Sequence, residues 1–206
     1  MPGDLVSGGY PLTSPSRKLL GLQSNAAQSN LAVRTNLDLP GIGSLQDAAA
    51  GLVSGKAVLV PVPVEPGDLF QTVDVFAGAT AASTPTHSWA ALYNAAGTLV
   101  GTQSADGTTA AIAASGRFSF TLASKYIVTN ADAPQGIIYA AVSVTGTAVP
   151  SLVSASVPTA VQYALYTNAV PFYASAFGSG LGATAAASVT LSGGTIQSAV
   201  PIVGLR

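Results

Sequence analysis

Residues 86–103 read THSWAALYNAAGTLVGTQ, and they decide the fold class. THSWAALY and TLVGTQ are two short strand-like runs, separated by Asn94-Ala95-Ala96-Gly97. Two such runs joined by a tight loop rich in Asn and Gly form a β-hairpin, with Gly97 supplying the left-handed residue of the turn.

The same pattern extends in both directions. Residues 57–64 (AVLVPVPV) are β-branched, but Pro61 and Pro63 cannot donate to a ladder, which puts the strand at an edge or a bulge. The turn Glu65-Pro66-Gly67-Asp68 leads into residues 69–77 (LFQTVDVFA). Strict alternation there sets Phe70, Asp74 and Phe76 on one face, and Leu69, Val73 and Val75 on the other. In residues 117–122 (RFSFTL), Phe118, Phe120 and Leu122 point one way. Residues 137–145, 162–166, 187–191 and 199–203 complete about nine expected strands. Short strands separated by turn signals indicate an all-β chain, an antiparallel β-sandwich or jelly-roll-like domain over residues 56–206.

Residues 1–55 have a different character. They carry Arg17, Lys18 and Arg34, scattered leucines, and the breakers Pro2, Pro11, Pro15 and Pro40. Ser14 with Pro15 is suited to start a short helix over SRKLLGLQ. Ser44 with Asp47 resembles a weaker cap for LQDAAAGLV, ending near Gly55. Neither segment has the apolar periodicity to fold alone. The region therefore reads as an extended N-terminal arm with one or two short helices, ordered by lying on a neighbour.

Charge is the next informative feature. The chain has 15 charged residues in 206, 7% of the total, with a formal net charge of −1. Ala133 to Leu205 is a run of 73 residues without Asp, Glu, Lys, Arg or His. Soluble domains carry about 25% charged residues, so much of this surface is expected to be covered. Membrane insertion is not the expected cover. The best apolar stretch, GIIYAAVSVTG at 136–146, is shorter than the roughly 18 residues a spanning helix needs, and Pro150 soon follows. The start MPGDLVSGGY lacks the basic and apolar regions of a secretion signal. Packing against other protein is the expectation that remains. No basic surface is available for nucleic acid. The absence of cysteine removes disulfides and thiolate metal sites.

Catalytic patterns are sparse. His87 is the single histidine, no serine sits in a G-x-S-x-G elbow, and no phosphate-binding glycine loop occurs. A hydrogen-bonded structural role is expected for His87. Solvated turn or capping roles are expected for Asp68, Asp106 and Asp132, whose spacing matches no calcium loop. No cofactor and no metal site are expected. The aromatics Trp89, Tyr93, Tyr163, Tyr166, Phe172, Tyr173 and Phe177 would suit stacking on sugars or anchoring an interface. Trp89, Phe118 and Phe120 are assigned to the core. Tyr163, Tyr166, Phe172, Tyr173 and Phe177, with the arm cations Arg17, Lys18 and Arg34, are assigned to a subunit interface.

The Glu65-Pro66-Gly67-Asp68 turn, the THSWAALYNAAGTLVG hairpin, the TQSADGTTAAIAASG connector and IIYAAVSVTGTAVPSL together resemble a β-sandwich module of virion proteins of tailed bacteriophages, particularly those of actinobacteria. The resemblance covers about half of the chain, from about residue 59 to residue 156. It implies a non-catalytic virion subunit assembled in host cytoplasm, either a minor tail or fibre-type component or a capsid decoration protein. Other virion proteins and further copies of the chain are the implied partners. The alternative expectation is a receptor-binding module that recognises host cell-wall glycan through exposed aromatics.

Overall fold

The computed structural model describes residues 34–36, 45–48, 52–107, 112–156, 175–191, 195–196 and 199–206. Their secondary structure is β, without an α-helix among the described residues. The strands are β1 (Arg34–Thr35), β2 (Leu45–Ala48), β3 (Ala57–Pro63), β4 (Leu69–Phe76), β5 (Ser83–Tyr93), β6 (Leu99–Val100), β7 (Arg117–Ile127), β8 (Ile137–Ala148), β9 (Leu152–Ser156), β10 (Ser175–Phe177), β11 (Thr195–Ile196), β12 (Ala199–Pro201) and β13 (Val203–Leu205). They form a six-stranded sheet in the order β11-β10-β3-β8-β5-β6, a four-stranded sheet β1-β13-β4-β7, and a three-stranded sheet β12-β9-β2. Every pairing between strands is antiparallel.

The hydrophobic alternation of the central strands builds the core. Val58, Val60 and Val62 of β3, Ala90 and Leu92 of β5, and Ile138, Ala140, Val142 and Val144 of β8 share one face of the six-stranded sheet. They join a single cluster with Phe70, Val73 and Val75 of β4, Phe120 and Leu122 of β7, and Val203 and Leu205 of β13. Burying each such side chain is worth about 1.5–3 kcal/mol, so this shared cluster, rather than any ladder, dominates stability. The opposite face of the same sheet is also apolar. Leu59, Trp89, Ala91, Tyr93, Ile137, Tyr139 and Ala141 form a second cluster there with Phe177 and Ala185.

Three expectations are corrected. First, Leu45–Ala48 is strand β2, paired with Leu152–Ala155 of β9, and not the helix that Ser44 was expected to cap. The stretch offers no helical apolar stripe, whereas β9 offers an open ladder. The helix expected after Ser14 lies outside the described residues, as does the strand expected at 162–166. Second, β4 does not alternate strictly. Gln71 N and Thr72 N both donate to the Arg206 carbonyl, at 2.8 and 2.7 Å, and the register against β7 shifts between Phe70 and Thr72. This bulge rotates Phe70 into the core beside Val73 and Val75, leaving Leu69 and Phe76 half-buried. Third, β3 is not an edge over its whole length. Val64 N donates to Gly136 O on the β8 side, so by alternation the missing N–H groups of Pro61 and Pro63 face the other way. Strand β10 pairs on that side with Ala57 to Leu59 only, and stops before the prolines.

The uncharged run was expected to be covered by neighbouring subunits. In β8, β12 and β13 it is covered by this chain itself. Conversely β7, at the rim of the four-stranded sheet, exposes Arg117, Lys125 and Ile127.

Both expected turns form. Asp68 N donates to Glu65 O at 3.0 Å with Gly67 at φ +90°, and Gly97 N donates to Asn94 O at 2.9 Å with Gly97 at φ +78°. A methyl added at Gly67 meets nothing within 4 Å, while one at Gly97 would run into the Val189 carbonyl oxygen. Gly67→Ala should therefore cost only backbone strain, about 1–2 kcal/mol, while Gly97→Ala should cost clearly more. Urea unfolding of the two variants checks the order; equal losses would mean that the Val189 segment does not press on the hairpin.

Candidate functional site: a neutral strap over an aromatic face

The outer face of the six-stranded sheet carries Trp89 and Tyr93, both 1% exposed. Polar tips on buried aromatics need partners, and a strap of residues 178–191 provides them. Trp89 Nε1 donates to Gly182 O at 2.8 Å, and the Tyr93 hydroxyl donates to Ala186 O at 2.7 Å. Thr145 Oγ1 donates to Leu181 O at 2.9 Å. Gln103 grips the strap twice, donating from Nε2 to Ala183 O at 2.9 Å and accepting Ala185 N at Oε1 at 2.6 Å. Leu181, Val189 and Leu191 turn inward onto the aromatic cluster. The strand expected at 187–191 is thus a strap with one bridge, Thr98 to Ser188. Side chains of the sheet hold its backbone at Leu181, Gly182, Ala183, Ala185 and Ala186, and Leu181 N donates to Gly55 O at 2.8 Å, so these groups are satisfied without a ladder.

Between strap and sheet lies a cavity of about 190 Å³. Its floor is Ala57, Leu59, Trp89 and Tyr93, and Ser188 and Thr190 stand at its exposed rim. Burial pushes the Tyr93 hydroxyl up to about 12.

Polar chemistry elsewhere is organised into intrachain pairs. Arg34, 5% exposed, donates from Nε to Asp68 Oδ2 at 2.6 Å and from a terminal nitrogen to Asp68 Oδ1 at 3.0 Å. Glu65 Oε1 stands 3.4 Å from the same guanidinium. Burial opposes the charge on Arg34, but the Asp68 hydrogen bonds and the two carboxylates outweigh it and raise its pKa. Asp68 also accepts the Glu65 N–H at 2.8 Å. It is therefore a buried ion-pair partner as well as a turn residue, and not the solvated aspartate expected. Beside Arg34, Asn36 donates to Pro201 O at 2.7 Å and accepts Val203 N at 2.9 Å. Asp74 accepts Arg206 Nε at 2.7 Å and the Ser119 hydroxyl.

His87 lies in β5, with Nδ1 2.7 Å from Asp106 Oδ2, while Asp106 Oδ1 accepts the Ser88 N–H at 3.0 Å. The Ser88 hydroxyl donates to Gly107 O at 2.9 Å, away from the imidazole. The histidine is hydrogen-bonded as expected, within strand β5. Among the described residues no group of three His, Cys, Asp or Glu gathers to hold a metal ion, and no helix is long and apolar enough to cross a membrane.

Of the residues assigned to an interface, Arg17, Lys18, Tyr163, Tyr166, Phe172 and Tyr173 lie outside the described residues. Arg34 sits in the buried ion pair above, and Phe177, 8% exposed, packs in the aromatic cluster. The described part of the expected arm, Arg34–Thr35 and Leu45–Ala48, pairs with β13 and β9 of its own chain. Sequence reasoning missed Gln103 and Asn36, because single amides carry no pattern. No protein-family model matches the chain, and no curated protein matches it.

Two outcomes follow from this geometry. Arg34→Ala and Asp68→Ala should each cost about 3–5 kcal/mol, since either leaves a buried charge alone. The double substitution should cost much less than their sum; additive losses in a urea-denaturation cycle would rule out the pairing. Tyr93 is an acid whose pKa is raised in the folded state, so its contribution is complete below pH 10 and fades between about 10 and 12. Absorbance titration should show Tyr93 ionising near 12 and Tyr126, which burial raises further, later still; Tyr93→Phe should delete the step near 12 alone.

Proposed function

We propose that the chain is a non-enzymatic structural subunit of a tailed-bacteriophage virion, whose two facing sheets form a β-sandwich docked on the particle exterior. Its work is assembly and particle stability, as a minor tail or fibre-type component or as a capsid decoration protein. The observation that carries the reading is where the few charges go. Arg34, Glu65, Asp68, Asp74 and Arg206 are engaged in ion pairs within the chain, and Asp106 is engaged with His87. Among the described residues, Arg117 and Lys125 are exposed charges, with Lys56 and Asp132 half-buried. The strap exposes only uncharged small residues, among them Ser179, Ala183, Ala186, Ala187 and Thr190. Such a face has little solvation to lose when it docks, and a net charge near zero does not hold copies apart. The sequence resemblance points the same way. The glycan-binding alternative gains nothing from Trp89 or Tyr93, which lie under the strap.

Proteomics of purified particles should find the chain as a stoichiometric component, abundant if it decorates the capsid and scarce if it belongs to the tail. Its presence in infected cells but not in particles would end the reading. Independently, self-association of the full chain in sedimentation experiments should survive about 1 M salt, where the Debye length falls to about 3 Å. Dissociation by salt would show that charges, not the neutral faces, hold copies together.

A further inference from the structure

The strap does more than close the sheet. Trp89 Nε1 and the Tyr93 hydroxyl are both engaged by strap carbonyls. Their polar tips are therefore satisfied before anything enters, and their rings line the cavity with Leu59 and Ala57. The floor is built from the apolar bodies of Ala57, Leu59, Trp89 and Tyr93, and the pocket opens to solvent at a rim where Ser188 and Thr190 carry the hydroxyls. An apolar cavity of about 150 Å³ takes a benzene molecule, and this one, at about 190 Å³, has room for a ring with a short alkyl substituent.

We propose that the cavity between the 178–191 strap and the outer face of the six-stranded sheet is a binding site for one small apolar ring compound of alkylbenzene size. A sugar ring of similar volume does not fit the chemistry. Its hydroxyls need several partners, and the polar groups of the floor are already engaged by the strap. Because the strap is pinned at Gly182, Ala183, Ala185 and Ala186, the walls are pre-formed and little ordering is required on entry. The site does not depend on the virion reading and would stand without it.

Trp89 is the single tryptophan of the chain and lines the cavity, so its emission reports occupancy directly. Titrating the full chain with toluene, excited beyond the absorbance of the probe, should give a saturable change in Trp89 emission and a rise in melting temperature. Methyl glucoside at the same concentrations should give neither. Ala57→Leu, which fills the floor, and Ala186→Leu, which fills the rim, should each weaken the toluene response at least tenfold. Ala186→Leu lies at an exposed position and decides the matter should Ala57→Leu fail to fold. A linear, non-saturating response in the parent chain would overturn the proposal. So would a response to methyl glucoside in place of toluene, or a toluene response left intact by the filling substitutions.

Discussion

Strand β8 is apolar on both of its faces, and that constraint shapes most of the molecule. Ile138, Ala140, Val142 and Val144 face the second sheet, while Ile137, Tyr139 and Ala141 face the strap. A strand of this kind has to be covered twice. The four-stranded sheet provides one cover and the 178–191 segment the other. β3 follows the same rule on a smaller scale, with Val58, Val60 and Val62 on one side and Ala57 and Leu59 on the other. Two-sided burial also accounts for part of the long uncharged run, because a central strand reads as neutral without any partner molecule.

Much of this was legible in the order of residues. The hairpin around Gly97, the Pro66-Gly67 turn, and β3, β5, β7 and β8 could be placed from alternation and turn chemistry to within a few residues. β7 and β8 run longer than expected because pairing with β4 and β5 extends them. The illegible features share one cause: they depend on residues distant in the chain. The β4 bulge is held by the carbonyl of Arg206, more than 130 positions away. Leu45–Ala48 becomes a strand because β9 offers it a ladder. The strap owes its path to Gln103, Trp89 and Tyr93, and nothing in its own composition announces it.

The candidate site was half visible. Trp89 was assigned to the core and is there, but in the outer cluster rather than between the sheets. Arg34 was assigned, with the other arm cations, to a subunit interface. Its partner proved to be Asp68 of its own chain, a pairing that sequence separation concealed. Arg34 and Asn36 anchor the segment before β2 by polar contacts, where a two-residue strand alone would hold it weakly. Arg206 does the same for the last strand through Asp74.

The rim strand β7 carries two of the few solvated charges, Arg117 and Lys125, at its opposite ends. Ala123 N already donates to Gln103 O and Ser124 N to Thr102 Oγ1, but a long rim strand is still a template for stacking one molecule against the next. Stray cations at both ends make such lateral zippering repulsive between identical copies. With that route discouraged, any contact between copies would fall on broad surfaces, where geometry selects a finite assembly over an open-ended fibre.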